Sequence, residues 1–173
     1  MRAGLKNIKD KILYKMPKIN KVAYTWAQPL QHNLKPSMIV YHHTVETNLT
    51  PQKIDEMHKK RGWAGIGYHF YIRKDGTIYR GRPENAVGAH ATCVNDRAFG
   101  IALEGNFNIE QLTPEQMSSL LALSKYLIKK YNIKDLKRHM DVANTECLGK
   151  KFPFEEIKGK LNKKRDSLLN NNN

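Results

Sequence analysis

The sequence predicts one α/β domain, built on a mixed central β-sheet flanked by helices, with a basic helical extension at the N-terminus. Apolar runs of strand length alternate with segments of helical period, which is typical of α/β folds. One β-hairpin is clearly marked among them, and it makes the sheet mixed rather than wholly parallel. The first 22 residues differ in composition from the rest, so we expect an extension over 1–22, a domain over 23–169 and a polar tail over 170–173.

The N-terminal extension is basic and amphipathic. Its apolar residues recur three or four positions apart, which is a helical period, and Pro17 should end or kink the helix. These apolar residues are Leu5, Ile8, Ile12, Met16 and Ile19. Such a helix either packs its apolar stripe on the domain or binds an anionic wall polymer or membrane surface. The predicted attachment residues are Arg2, Lys6, Lys9, Lys11, Lys15, Lys18 and Lys21.

Local signals place the first elements of the domain. The apolar run Met38–Val40 predicts a buried strand that extends to His42. Thr50 is a good N-cap residue and Pro51 suits the first helical position, so a helix should run to about Arg61. Asp75-Gly76 separates two β-prone runs and predicts the hairpin. These two runs are residues 67–74 and 77–80.

The C-terminal half contains one further strand, a well-capped helix, a short strand and a last helix. Residues 99–104 are mostly apolar and predict a strand, and a short strand is expected near Leu136. Thr113 and Gln116 form a capping box that opens the helix, and residues 154–169 predict the last helix. The face of the capped helix that we expect in the core comprises Met117, Leu120, Leu121, Ser124, Leu127, Ile128 and Tyr131.

The composition is that of a strongly basic globular protein. A net charge of +14 and a pI near 9.8 favour acidic polymers as partners, such as nucleic acid, anionic lipid or cell-wall teichoic acid. No recognition helix or aromatic RNA-binding surface accompanies the charge, so nucleic acid is not expected. No apolar run approaches the roughly 20 residues of a membrane span, and the N-terminus lacks the apolar core of a secretory signal. We therefore expect synthesis in the cytoplasm and action outside it only after release.

Histidine and cysteine residues form a candidate zinc site. His139 and Cys147 are joined by a short loop that could aim an imidazole and a thiolate at one metal ion. A third ligand would come from His42 or His43, which follow the first apolar run. Two histidines and one cysteine form a known catalytic zinc set that leaves one position open for water. Two alternatives are a thiol hydrolase that uses Cys147 with His139, and a disulfide between Cys147 and Cys93.

Several short motifs lie between about residue 36 and residue 160. They are Val40–Thr44, Gly65–Phe70 with the Asp75-Gly76 turn, Gly88–His90, Phe99–Ala102, and His139 with Thr145 and Cys147. In order and spacing they resemble the type-2 N-acetylmuramoyl-L-alanine amidases, a zinc family that includes phage and bacterial endolysins and animal peptidoglycan recognition proteins. The basic extension is similar to that of certain single-domain endolysins. The resemblance implies that family's fold and hydrolysis of the amide between N-acetylmuramic acid and the L-alanine of the stem peptide.

The resemblance also assigns roles to individual residues. It makes His42, His139 and Cys147 the zinc ligands, and it matches Tyr68 to a tyrosine that points at the attacking water. Thr145 matches a position near the oxyanion. Because a tyrosine with a pKa near 10 is a poor base at neutral pH, we interpret Tyr68 as a donor that orients water and stabilises the oxyanion, with Thr145 as a weaker donor.

Two positions distinguish this chain within the family that it resembles. One branch lacks the tyrosine and uses a glutamate at the position of Ala102, so Tyr68 and Ala102 together assign the chain to the tyrosine branch. The family often has proline directly after the cysteine ligand, whereas this chain has Leu148. We expect the loss of that proline to loosen the loop without removing a ligand.

Four further residues are candidates for substrate contact: His43, His69, His90 and Asn95. His43 should line the groove beside the ligands, and His90 either contacts substrate or is an ordinary loop histidine. Tyr68 and His69 should point to opposite faces if their strand alternates.

The expected partner is peptidoglycan, with anionic wall polymer or membrane bound through the extension, and we expect a monomer. Endolysin activity, with lysis of bacterial cells, is the role favoured by the resemblance. A host autolysin of the same chemistry is one alternative. A non-catalytic peptidoglycan-binding module is another, although such relatives typically lose the cysteine ligand that is present here as Cys147.

Overall fold

A mixed six-stranded sheet forms the centre of the protein. The computed structural model describes the backbone of residues 16–169 and the side chains of residues 16–162. The strands are β1 (Ile19–Asn20), β2 (Met38–His43), β3 (Phe70–Ile72), β4 (Ile78–Arg80), β5 (Ala98–Leu103) and β6 (Asp135–Arg138). Their spatial order is β1-β4-β3-β5-β2-β6, and β3 and β4 are antiparallel while all other neighbours are parallel. The predicted fold class is therefore confirmed.

Three helices of the described region flank the sheet: α1 (Pro51–Lys60), α2 (Pro114–Tyr131) and α3 (Phe154–Leu169). Thr50 caps α1, and its side chain accepts a hydrogen bond from the backbone N–H of Lys53. Thr113 and Gln116 form the predicted reciprocal capping box at the start of α2. Within the described part of the chain, no helix has both the length and the apolarity needed to span a bilayer.

The sheet is the middle of three layers, because its two faces pack against different helices. Ile39, Tyr41 and Phe99 belong to a buried cluster that also contains side chains of α2 and α3. On the opposite face, Tyr71 and Ala102 pack with Ile54 of α1. The buried face of α2 is close to the predicted one, but Leu123 takes the fully buried position expected for Leu121. The helix is thus rotated slightly about its axis relative to the prediction.

The hairpin has the predicted turn but a shorter first strand. Gly76 has a φ of +81°, a conformation that glycine adopts without strain, and the N–H of Arg73 donates to the carbonyl of Thr77 at 3.0 Å. β3 begins at Phe70, so Tyr68 and the residue after it precede the strand. Just before the strand the backbone makes a close approach at Gly67, where a Cβ would lie 1.9 Å from the carbonyl oxygen of Ala89. That segment therefore packs on a neighbouring loop.

The end of the predicted N-terminal helix is a strand. Ile19 lies in β1, where it pairs with Ile78 and packs partly buried against the main core. Lys18 and Lys21 flank this strand and are exposed. The other five attachment residues, and the polar tail over 170–173, lie outside the described residues: Arg2, Lys6, Lys9, Lys11 and Lys15.

Candidate metal centre and cleft

Parallel strands bring the three predicted metal ligands together at one end of the sheet, where β2 and β6 have their C-terminal ends. His42 lies near the C-terminal end of β2, whose Tyr41 pairs with Arg138, the last residue of β6. Because the two strands run parallel, His139 follows β6 beside His42, with ring centroids 4.4 Å apart. Cys147 returns to the same end, and the candidate ligand atoms of His42, His139 and Cys147 all lie within 4.8 Å of one another.

The loop between His139 and Cys147 is held by hydrogen bonds and by core packing. The N–H of Met140 donates to the carbonyl of Cys147 at 2.7 Å, which closes the loop. The hydroxyl oxygen of Thr145 accepts from the N–H of Cys147 at 3.2 Å. Leu148 is fully buried in the main core. At the position where the family often has proline, the loop therefore has an apolar anchor.

Burial shifts the pKa of each of the three candidate ligands in the direction that favours its neutral form. It lowers the pKa of His42 well below the usual value, with nearby His90 adding to the effect, and it also lowers the pKa of His139. Burial raises the pKa of the Cys147 thiol to about 11, although the N–H of His43, 3.4 Å from Sγ, acts in the opposite direction. Neutral imidazoles bind metal directly, whereas a thiol must first lose its proton. Two imidazoles and one thiol that converge in this way fit a zinc ion.

A cleft of about 380 Å³ lies over these three side chains, and both predicted catalytic donors line it. The ring centroid of Tyr68 is 5.1 Å from that of His42. Burial raises the pKa of Tyr68, and the nearby Cys147 thiol contributes in the same direction. Tyr68 therefore keeps its proton at neutral pH and can act as a hydrogen-bond donor. Thr145 lines the cleft from the loop side, next to Cys147.

Of the four residues predicted to contact substrate, the cleft contains two. His43 lines it, and its Nδ1 accepts from the N–H of Phe107 at 3.2 Å. His90 also borders the cleft but is only 7% exposed and lies behind His42, with 2.9 Å between His42 Nε2 and His90 Nδ1. Asn95 does not line the cleft, and its side-chain oxygen accepts from the N–H groups of His90 and Ala91, both at 2.9 Å.

His69 lies in the interior rather than on the cleft wall. Its Nε2 donates to the carbonyl of Ala86 at 2.8 Å, and its Nδ1 accepts from the N–H of Gly100 at 3.0 Å. The side chain is 0% exposed. This position gives the imidazole no contact with a ligand in the cleft.

His58 supports Tyr68, a role that the sequence does not indicate. Its Nδ1 accepts from the N–H of Gly67 at 2.9 Å, and its ring centroid is 5.3 Å from that of Tyr68 and 4.7 Å from that of Trp63. The one local signal is the helical spacing of α1, because His58 and Asp55 share the buried face of that helix with Ile54. Polar residues on the buried face of a helix need specific partners.

Val45 forms a strained part of the cleft wall. Its φ is +64°, a backbone conformation that is rare for a β-branched residue. Its N–H donates to the carbonyl of Gly105 at 3.0 Å, which helps to hold this conformation. The side chain is 50% exposed and lines the cleft. Strain of this kind clusters at functional sites, and no local sequence signal predicts it.

Comparisons with known proteins agree with the fold and with this set of residues. The chain is 40% identical over 105 residues to an endolysin of Enterobacteria phage T3, which covers 58% of this chain and 70% of that protein. The solved structure of the endolysine N-acetylmuramoyl-L-alanine amidase LysCS from Clostridium intestinale URNW has 74% identity and a TM-score of 0.85, covering 86% of this chain and 98% of that one. A point mutant of Drosophila PGRP-LB in complex with tracheal cytotoxin has 26% identity and a TM-score of 0.72, covering 83% and 95%.

The three-layer fold, with two histidines and a cysteine at one end of the sheet, is that of an amidase domain. Residues 32–150 match the N-acetylmuramoyl-L-alanine amidase family, Amidase_2. The chain belongs to this family.

Proposed function

We propose that this chain is a zinc-dependent N-acetylmuramoyl-L-alanine amidase that acts as an endolysin. Its substrate would be peptidoglycan, cleaved between the lactyl group of N-acetylmuramic acid and the L-alanine of the stem peptide. The observation that carries the proposal is the convergence of His42, His139 and Cys147 within 4.8 Å beneath an open cleft. The similarity to an amidase named as an endolysine supports both the reaction and the biological role.

The chain's own residues would position the reacting groups. When bound, a zinc ion supplies Lewis-acid chemistry and makes water nucleophilic near neutral pH. Tyr68 keeps its proton and would donate to the oxygen that becomes negative as the amide is attacked. Thr145 accepts from the N–H of Cys147, which leaves its own hydroxyl hydrogen free to donate to the same oxygen. Neither residue needs to act as a base.

Thiol catalysis by Cys147 is the less favoured chemistry. Because burial raises the pKa of this thiol to about 11, only a small fraction would be thiolate at neutral pH without a metal ion. A metal ion would instead stabilise the thiolate as a ligand. The elevated pKa therefore supports a ligand role over a nucleophile role.

A peptidoglycan-binding module without catalysis would not need all three ligands. The chain retains the cysteine together with Tyr68 and Thr145 on the cleft wall. These side chains provide both the metal donors and the oxyanion donors of a hydrolase. Their joint presence favours an enzyme.

The test is digestion of purified peptidoglycan followed by mass spectrometry of the soluble products. We expect the metal-replete protein to release stem peptides that begin with L-alanine. Cys147→Ala and chelator treatment should abolish the release, and added zinc should restore only the chelated protein. Cys93→Ala is the matched control, because Cys93 is an exposed free cysteine and its loss should change nothing.

Three outcomes would contradict parts of the proposal. Wall binding without new peptide ends would indicate a recognition module. Activity that survives chelation but not Cys147→Ala would indicate a thiol hydrolase. Products that result from cleavage at another bond would be compatible with the proposed metal site but would refute the proposed scissile bond.

The basic extension has a separate proposed role. We propose that residues 1–22 attach the protein to anionic wall polymer or membrane surface after its release from the cytoplasm. The seven basic residues of this segment, against one acidic residue, support electrostatic attachment.

A further inference from the structure

We propose that His90 is a positioning residue that fixes the tautomer and ring orientation of His42, so that Nδ1 of His42 is the atom offered to the metal. The inference rests on the proposed metal site but concerns a residue that does not belong to the ligand set. It explains why a histidine with the sequence context of a substrate contact is almost fully buried behind a ligand.

Two hydrogen bonds link Ala98, His90 and His42, and the carbonyl group of Ala98 fixes the direction of both. His90 Nε2 lies 3.2 Å from the carbonyl oxygen of Ala98, which can only accept, so Nε2 carries the hydrogen. In a neutral ring, Nδ1 of His90 is then an acceptor. It faces Nε2 of His42 at 2.9 Å, so His42 must donate from Nε2. Neutral His42 therefore has an unprotonated Nδ1, the only ring atom left for a metal ion.

The opposite arrangement would disable the ligand. If His90 carried a proton on both nitrogens, its Nδ1 would donate to His42 Nε2, and neutral His42 would carry its hydrogen on Nδ1. That hydrogen would occupy the position a metal ion needs. A cationic His90 is costly because the ring is buried, and its contacts at the two nitrogens are an imidazole and a carbonyl rather than a carboxylate.

The His90 ring is held in place by glycines and by a side-chain amide. A Cβ at Gly100 would lie 2.6 Å from ring atoms of His90, and a Cβ at Gly88 would lie 2.5 Å from the ring. Both positions therefore exclude a larger residue. Asn95 accepts from the backbone N–H of His90 and so fixes the loop that carries it. Gly88, His90, Asn95 and Gly100 thus form one support for His42.

The experiment compares two substitutions that differ in one property. His90→Leu removes the acceptor while roughly preserving side-chain volume, whereas His90→Asn keeps an oxygen near the position of Nδ1. In metal-free protein, ¹⁵N NMR of the imidazoles should show His42 protonated at Nε2 in the wild type and in His90→Asn. In His90→Leu we expect a mixture of both tautomers. Far-UV circular dichroism checks that each variant is folded.

Zinc affinity is the second measurement, by competition with a chromogenic chelator. Loss of a hydrogen-bond partner behind a ligand typically weakens metal binding on the order of 10–100-fold. We expect that loss for His90→Leu and a smaller one for His90→Asn. Gly100→Ala, which displaces the His90 ring without removing it, should also weaken binding. His32→Leu removes an exposed histidine and should leave the affinity unchanged.

The outcomes separate this inference from the proposed function. If folded His90→Leu keeps the wild-type tautomer of His42 and binds zinc as tightly as the wild type, the inference is overturned while the amidase proposal stands. If the wild-type protein binds no zinc, the proposed function fails, and the tautomer measured in metal-free protein still decides whether His90 orients His42. A wild-type His42 protonated at Nδ1 would overturn the inference directly.

Discussion

The buried imidazole of His69 should make the stability of the protein fall in mild acid. Its Nε2 donates to the carbonyl of Ala86 and its Nδ1 accepts from the N–H of Gly100, and the second of these bonds requires the neutral form. A second ring proton would lie on Nδ1, where it would face the N–H of Gly100, so that hydrogen bond would be lost. Burial is the main reason that the pKa of His69 is lowered to about 4. The folded state therefore resists a proton that the unfolded chain accepts.

The size of the effect follows from the two pKa values of His69. In the unfolded chain its pKa is near 6.5, so above that pH the ring is neutral in both states and the full stability is present. As the pH falls, the unfolded chain is protonated first, and stability is lost until the folded ring also protonates near pH 4. Between pH 7 and pH 5 this single group should lower the free energy of unfolding by about 2 kcal/mol.

Urea unfolding of metal-free protein at pH 7 and pH 5 measures this difference. Metal-free protein is used because metal binding to histidine and cysteine is itself pH-dependent. His69→Gln keeps a donor and an acceptor without titrating, so it should lose about 2 kcal/mol less than the wild type over this interval. His32→Gln, at an exposed position, should follow the wild type. Equal pH dependence in all three proteins, or a His69 ring that titrates near pH 6.5 by NMR, would refute the reasoning.

Three further predictions concern the cleft and the extension. Tyr68→Phe should keep bound zinc but lose on the order of 10²–10³ in turnover of a soluble muropeptide, and near-wild-type turnover would rule out its donor role. Val45→Asn should raise the free energy of unfolding by about 1 kcal/mol, because asparagine tolerates positive φ, whereas Ile109→Asn at another exposed position should not. Deletion of residues 1–15, which spares β1, should reduce lysis of whole cells most at low salt and leave muropeptide hydrolysis unchanged. An equal loss of activity on whole cells and on muropeptide would indicate that residues 1–15 are needed for the folded domain rather than for attachment.

Local sequence signals correctly predict the helix caps and the hairpin turn, because these features depend on contacts between residues close together in the chain. The cap at Thr50, the capping box at Thr113 and the Asp75-Gly76 turn depend on residues within four positions of each other, and all three occur in the structure. The start of β3 cannot be predicted in this way. The segment just before it contacts a loop that is far away in sequence, with Gly67 packed against Ala89. Ile19 is a similar case, because its strand exists only through pairing with β4.

The same distinction between local signals and long-range contacts applies to the candidate site. The pattern of histidines and a cysteine is enough to indicate His139, Cys147 and one residue of the pair His42 and His43, because the ligand types and the short loop are visible in the sequence. The choice of His42 within the pair comes from the family resemblance. The placement of His69 and His90 is not visible in the sequence. Both are supported by backbone groups of β5 or its neighbours, and the order of strands in the sheet decides which histidine lies behind which ligand.

The three candidate ligands differ in how firmly the fold holds them, and we expect this difference to affect metal binding. His42 lies in an interior strand, next to Tyr41, whose hydroxyl shares a 2.8 Å hydrogen bond with Ser124 in the buried core. His139 and Cys147 follow β6, which lies at the edge of the described sheet, and both are only partly buried. Because metal binding stabilises the segments that carry its ligands, it should stabilise the loop from His139 to Cys147 more than it stabilises β2. That loop also carries Thr145, so a single binding event would fix two candidate ligands and the proposed oxyanion donor.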